Sequence, residues 1–231
     1  NTSVVFGFVK FLRDIQKRER PDLLGVAFDP KGGSFRREVF PEYKANRAET
    51  PEDILLSVPY VKRVLEAMCI PILEVEGYEA DDVIGTLSQK GVEAGYEVFM
   101  VTPDKDYGQL VRDNCKIYKQ KGADGSIGEK SACKLVQEWG TVENILDNVS
   151  KIKGKQGEKI AAWGDKLRLA KHLTTICLDV PIPFRPEDLT VCDPHIDELK
   201  AVFAELDFKA FMNDLMNLAP PETLPEGPRQ E

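Results

Sequence analysis

Five carboxylates stand in two short clusters between Tyr78 and Asp106, and few folds can hold them there. The stretch GYEADDVIGTL carries Glu79, Asp81 and Asp82, and VFMVTPDKDYGQL carries Asp104 and Asp106. Between them run an apolar, helix-like segment ending at Gly95 and a β-rich segment from Tyr96 to Thr102. A strand that ends in Asp-x-Asp places its acids at the carboxyl edge of a sheet, where α/β proteins build their sites. In a βαβ unit the preceding strand, Ile72 to Val75, ends at the same edge, so both clusters can share one crevice. Acids that crowd together repel unless cations lie between them, and oxygen-only donors select hard divalent ions, Mg²⁺ or Mn²⁺. On a helix Glu79 and Asp82 share a face while Asp81 points elsewhere. Convergence of all three therefore requires Glu79 to lie just before the first turn. The plainer reading is that these acids only complement a helix dipole. The second cluster favours a site. If Asp82 is a ligand, neutralising it should relieve repulsion and leave stability without metal level or higher.

Composition removes several other chemistries. Only two histidines occur, His172 and His195, which argues against a His-based zinc site or triad. The five cysteines contain no CxxC pair and read as reduced, mostly buried thiols of a cytosolic protein. No apolar run approaches the ~20 residues of a membrane span, and no signal peptide is visible at Asn1. The 231 residues allow one large domain, or a domain with a small appendage. A net charge of −8 speaks against phosphate binding only as a sum, because the acidic clusters supply much of it and the basic residues are bunched.

Taken in order, residues 3–18 read as an amphipathic helix with Val5, Phe8, Leu12 and Ile15 at helical spacing. A buried strand, Leu23 to Phe28, stops at another acid, Asp29. Residues 30–50 have no period and interleave Lys31, Arg36, Arg37, Lys44 and Arg47 with Phe35, Phe40 and Tyr43. That mixture suits a loop that grips phosphates and stacks bases, or an ordinary solvated loop. Thr50-Pro51 opens a helix with Thr50 as N-cap, running to about Met68 and burying Ile54, Val58, Val61 and Leu65. A short helix over 104–112 and a short strand from Lys116 to Lys119 follow the acids.

Beyond Lys119 the pattern turns helical. Residues 125–146 read as a Gly-rich turn, a helix, a break at Gly140 and a second helix capped by Thr141. Gly125, Ile127 and Gly128 offer backbone N–H groups at a helix start, and Lys130 and Lys134 lie one turn apart on that helix. This is a helix-hairpin-helix pattern, for sequence-independent duplex binding, or a plain αα-hairpin. Helical periodicity continues through 155–178 and 196–217, and Pro220 to Glu231 reads as a linker.

Together VAFDPKGGSFRREVFPEYKANRAETPEDI, GYEADDVIGTL, VTPDKDYGQL and GEKSACKLVQEWGTVENIL resemble the 5′-nuclease domain of bacterial DNA polymerase I. That family includes flap endonucleases with a PIN-like core. The resemblance implies an α/β fold with a central, mostly parallel sheet flanked by helices over 1–119. The basic arch would lie within it, at about 30–50. A helix-hairpin-helix region with further helices would follow over 120–219, then the linker 220–231. It implies a two-ion Mg²⁺ or Mn²⁺ site, with K⁺ at the helix-hairpin-helix, and hydrolysis at 5′ flaps, nicks and 5′ ends. Asp29, Glu79, Asp81, Asp82, Asp104 and Asp106 match metal-site acids. In a two-ion mechanism Asp29, Glu79 and Asp82 would hold the inner ion and Asp104 and Asp106 the outer, a division the resemblance does not itself supply. Lys44 and Arg47 match the cations at the scissile phosphate. Arg36, Tyr43, Gly125, Ile127, Gly128, Lys130 and Lys134 are the expected DNA contacts. A monomer in the bacterial cytoplasm at the nucleoid, off the membrane, joined through the linker to a polymerase domain, completes the expectation.

Two departures stand out. The family opens with a strand carrying a further metal-site Asp, ahead of the helix that begins here near Thr2. It also carries a Gly-Asp-x-x-Asp-Asn motif where only Gln120 to Asp124 stand, and Asp124 is not assigned to it. The expectation is a polypeptide some dozens of residues longer, which an intact mass above 25.9 kDa would show. Were both pieces truly deleted, a non-catalytic, structure-specific DNA-binding module would be the alternative. A Mg²⁺-dependent hydrolase of small phosphoesters is another, though it explains neither the basic loop nor the helix-hairpin-helix.

Overall fold

A computed structural model describes residues 2–118 and 129–218. In chain order the elements are α1 (Ser3–Glu19), β1 (Val26–Ala27), α2 (Phe35–Val39), α3 (Glu52–Ala67), β2 (Ile72–Leu73), α4 (Ala80–Glu93), β3 (Val98–Val101) and β4 (Cys115–Tyr118). Then come α5 (Glu129–Trp139), α6 (Val142–Asp147), α7 (Lys155–Ala162), α8 (Gly164–Thr174), α9 (Pro186–Leu189), α10 (Ile196–Glu205) and α11 (Lys209–Leu218). A 3-10 turn, Asp106–Leu110, separates β3 from β4. Gly125, Ile127, Gly128, Asp124 and the stretch from Pro220 to Glu231 lie outside the described residues.

The chain divides into two compact units, and neither is a continuous stretch. One comprises Asn1–Phe28, Lys44–Glu74 and Arg185–Glu231; the other comprises Asp29–Tyr43 and Val75–Phe184. Strand pairing is parallel, as expected, but it forms two two-stranded sheets among the described residues and not one central sheet. In the first unit Val26 pairs with Ile72 and Ala27 with Leu73. In the second, β3 and β4 pair from Val98↔Cys115 to Val101↔Tyr118.

The first unit is built around the apolar stripe of α1. Val5, Val9, Leu12 and Ile15 are buried, one turn apart, and the first three share a core with Val61, Val64 and Leu65 of α3. Leu199, Val202 and Phe203 of α10 and Phe211 of α11 complete it. Phe6 of α1 stacks on Phe211 with ring centroids 4.8 Å apart. Helix α3 starts one residue later than expected, with Pro51 as N-cap in place of Thr50. Its buried stripe runs through Ser57, Val61, Val64 and Leu65, so Ile54 in the first turn lies beyond the core and is 42% exposed.

In the second unit α4 packs on β3, with Val83 and Thr86 fully buried. Met100 of β3, Tyr107 of the 3-10 turn, Cys115 of β4 and Ile176 form the core beside it. Helices α5 and α6 make the expected hairpin. Gly140 takes the left-handed conformation, φ 81°, that ends α5. Thr141 Oγ1 then accepts the Asn144 N–H at 3.1 Å and opens α6. Lys171 and Arg168 of α8 pair with Glu143 and Asp147 of α6 at 2.7 and 3.4 Å. The helix expected over 155–178 is two helices, and it stops at Thr174 because other side chains capture the next peptide groups. Thiol burial also differs from expectation. Among the cysteines only Cys115 is buried, Cys69 and Cys177 are half-buried, and Cys133 and Cys192 are exposed.

Candidate active site

Helix α4 sets the geometry. Its N-cap is Glu79, in extended conformation just ahead of the first turn, and Glu79 and Asp82 form a capping box. Asp29 reaches the same helix end, where its Oδ1 accepts the Ala80 N–H at 2.8 Å. Glu79 is held from the basic loop: Ser34 Oγ donates to Oε1 at 3.1 Å and the Tyr43 hydroxyl donates to Oε2 at 3.2 Å. Tyr43, expected on DNA, thus holds a carboxylate here.

The second cluster meets the first through a buried tyrosine. Asp104 and Asp106 are exposed beyond β3, and the Asp106 N–H donates to Asp104 Oδ1 at 2.9 Å. Tyr107, 1% exposed, donates its hydroxyl to Asp81 Oδ1 at 2.7 Å. Burial pushes the Tyr107 ionisation far up, and the hydrogen bond to Asp81 pushes it further, as do the charges of Asp81, Asp104 and Asp29. Three acids from three separate segments therefore act on one hydroxyl, which stays a donor. Tyr107→Phe should cost about 2 kcal/mol of stability, the typical net worth of a hydrogen bond to a charged group, and should slow any reaction that depends on the orientation of Asp81. Thermal melts and activity on the same samples check this; a variant as active as wild type would show the bond to be packing alone.

Asp82 and Arg36 are placed differently from expectation. Asp82 is 0% exposed and Arg36 is 2% exposed. Arg36 Nη1 and Nη2 donate to the two Asp82 oxygens at 2.6 and 2.7 Å, a fork-on-carboxylate pair. Asp82 also accepts the Glu79 N–H at 3.1 Å and the Cys177 N–H at 2.8 Å. Arg36 Nε and Nη2 donate to the carbonyls of Leu173 and Thr175, each at 2.8 Å. Burial alone would lower the Arg36 pKa; Asp82, with Glu79 and Tyr43 nearby, more than offsets that and raises it. As placed, the Arg36 guanidinium donates to protein acceptors inside the unit, and both Asp82 oxygens accept from protein donors.

Lys44 and Arg47 fall in the first unit. Lys44 is half-buried in a left-handed turn, φ 59°, and Arg47 is exposed, its N–H donating to the Lys44 carbonyl at 3.1 Å. Lys134 is exposed on α5. The helix start ahead of it and the Lys130 side chain lie outside the described residues. Asp29, Glu79, Asp81, Asp104 and Asp106 are all-oxygen donors that suit a hard divalent cation in chemistry. Among the described residues no three His, Cys, Asp or Glu side chains converge on one point as placed. Ser34, Tyr107 and Gln109 support this site and were not foreseen. For Tyr107 the signal was available, because it follows Asp106 in a short helical turn and must face the other way.

Acids gather at the start of α4, and a helical hairpin, α5 with α6, follows in the chain. The profile of the 5′-3′ exonuclease N-terminal resolvase-like domain matches residues 1–140, and that of the 5′-3′ exonuclease C-terminal SAM fold matches residues 121–197. The chain belongs to the 5′-3′ exonuclease family. A 5′-3′ exonuclease of Aquifex aeolicus is 30% identical over 250 residues, covering 93% of this chain and 85% of that protein. DNA polymerase I of Caldicellulosiruptor bescii is 33% identical over 255 residues, and that of Thermus thermophilus 34% over 260. The chain spans 30% and 31% of the length of those two polymerases. These matched stretches are longer than the 231 residues here, so the relatives carry positions without a counterpart. The bacteriophage T5 D15 protein, co-crystallised with metal ions, shares the fold with a TM-score of 0.58 at 20% identity, over 93% of this chain and 92% of that one.

Proposed function

We propose that this chain is a divalent-metal-dependent 5′→3′ exonuclease and flap endonuclease, hydrolysing DNA phosphodiesters near 5′ ends. The observation that carries it is the gathering of Asp29, Glu79 and Asp81 at the start of α4, with Tyr107, the neighbour of Asp106, bonded to Asp81, in a chain of this family. Glu79, Asp29 and Asp81 would hold one Mg²⁺ or Mn²⁺ ion, and Asp104 and Asp106 a second. The chemistry supplied on binding is polarisation of the scissile phosphate and acidification of a water. Tyr107 orients Asp81, and Ser34 and Tyr43 orient Glu79. Lys44 and Arg47, by family likeness, neutralise charge that develops on the phosphate. Lys134 and the preceding helix start, with K⁺ there, would grip the duplex by its backbone. By likeness to the polymerases, a polymerase domain is the proposed covalent neighbour, and the bacterial nucleoid the proposed setting for a monomer.

Incubation with 5′-labelled flap DNA and Mg²⁺, beside a small aryl phosphate, tests the reading. Cleavage near the flap base with the aryl phosphate untouched supports it; binding without cleavage favours the DNA-binding module. Lys44→Ala should slow single-turnover cleavage by roughly a hundredfold or more while changing affinity little, as for removal of one transition-state donor. Lys134→Ala should weaken binding to all substrates alike and lower the salt slope by about one. A Lys44→Ala protein that loses only affinity would remove Lys44 from catalysis.

A further inference from the structure

The chain leaving α8 is held in an unusual way. From Leu173 to Cys177, each residue has a peptide group bonded to a side chain from an element of the acidic site. Arg36 of α2 takes the carbonyls of Leu173 and Thr175. Asp82 of α4 accepts the Cys177 N–H at 2.8 Å, and Thr86 Oγ1 donates to the Cys177 carbonyl at 3.2 Å. Gln109, in the 3-10 turn, supplies the rest: Nε2 donates to the Thr174 carbonyl at 3.0 Å and Oε1 accepts the Ile176 N–H at 3.1 Å. The same Nε2 also donates to the carbonyl of Asp106 at 2.9 Å.

A strap with no strand partner must find hydrogen bonds for its backbone elsewhere. Water would serve an exposed strap, yet here fixed side chains do so. Packing points the same way. Gly85 of α4 leaves room for Ile176, and a Cβ there would stand 2.5 Å from Ile176 Cγ2. Gln109 differs from Arg36 and Asp82 in one respect: it is exposed, so it carries no core packing. Its amide uses both donor and acceptor capacity to join the Asp106 peptide to Thr174 and Ile176 of the strap. We infer that Gln109 is a positioning residue for the reaction. It fixes the turn that presents Asp104 and Asp106 by tying the Asp106 carbonyl to the strap that leaves α8.

This inference rests on the nuclease reading, and its test separates the two. Gln109→Ala removes all three bonds, while Gln109→Glu keeps the acceptor for Ile176 and turns an oxygen toward two carbonyls. Both variants should lower single-turnover cleavage of 5′-flap DNA at saturating enzyme by roughly 10- to 100-fold, the range for a misplaced group. Affinity for the same DNA without metal should stay within about twofold, since no phosphate contact is lost. The Mg²⁺ concentration for half-maximal rate should rise. Amide hydrogen exchange gives a readout without cleavage: protection of Ile176 should fall in Gln109→Ala and persist in Gln109→Glu. A Gln109→Ala protein with wild-type rate and Mg²⁺ response overturns the role, as does a rate loss matched by lost affinity. Unchanged Ile176 exchange in Gln109→Ala overturns the clamp itself. Wild-type protein that cuts no flap DNA while Ile176 responds as stated overturns the nuclease reading and not the clamp.

Discussion

Asp82→Asn should destabilise the folded protein by about 3 kcal/mol, equally in EDTA and in Mg²⁺, the cost of breaking a buried ion pair. This reverses what an acid in a crowded cluster leads one to expect. Neutralising one of several repelling carboxylates should help, but for Asp82 the loss of the bonded Arg36 cation outweighs any relief of repulsion. It is fully buried, and both its oxygens receive the Arg36 guanidinium. Asparagine keeps one acceptor and brings an amide donor against a cation. Glu79, 3.7 Å from Arg36 Nη1, offsets only part of the loss. Two backbone N–H groups, of Glu79 and Cys177, also lose a charged acceptor. Paired melting curves with and without Mg²⁺ decide it. A variant as stable as wild type in EDTA would return Asp82 to the set of metal ligands.

The neighbouring residue should behave in the opposite way. Asp81→Asn is expected to lower single-turnover cleavage by about 10³-fold, the scale of several kcal/mol that a metal clamp supplies, and to leave stability in EDTA within about 1 kcal/mol. Asn can still accept the Tyr107 hydroxyl that Asp81 Oδ1 accepts at 2.7 Å. Only the charge is lost. Mg²⁺ should therefore stabilise wild type more than the variant, by up to about 2.7 kcal/mol at a hundred times the dissociation constant. Binding to flap DNA without metal should hold or tighten, since one charge facing phosphate is gone. An equal Mg²⁺ response in the two proteins would remove Asp81 from the metal site.

The contrast between these two aspartates shows where reading a sequence stops. Periodicity was enough for α1, for most of α3 and for α4, because burial of one face leaves its mark at every third and fourth residue. Glu79 does lie ahead of the first turn, but as the cap of α4, and not because three acids converge on one point. Asp82 could not be read in this way. Its partner Arg36 lies 46 positions away, in a stretch whose composition suits a solvated loop equally well. The split sheet was hidden for a related reason: strands of two residues leave too little alternation to show which strand pairs with which. The strap from Leu173 to Cys177 reads Leu-Thr-Thr-Ile-Cys, and the side chains that hold it come from positions far away in the chain, which periodicity cannot show.

The division of the first unit into three stretches of chain has a consequence for synthesis on the ribosome. Helix α1 emerges early, but Phe6 waits for Phe208 and Phe211, and Val5 and Val9 for Phe203, about two hundred residues later in the chain. At ~5–20 residues per second that interval is on the order of 10 to 40 seconds. Through it the apolar stripe of α1 has α3 and the apolar residues around β1 and β2 to cover it, without α10 and α11. The second unit, closed by Phe184, can complete first. The order of folding should therefore invert the order of translation, with α1 among the last parts to be sealed.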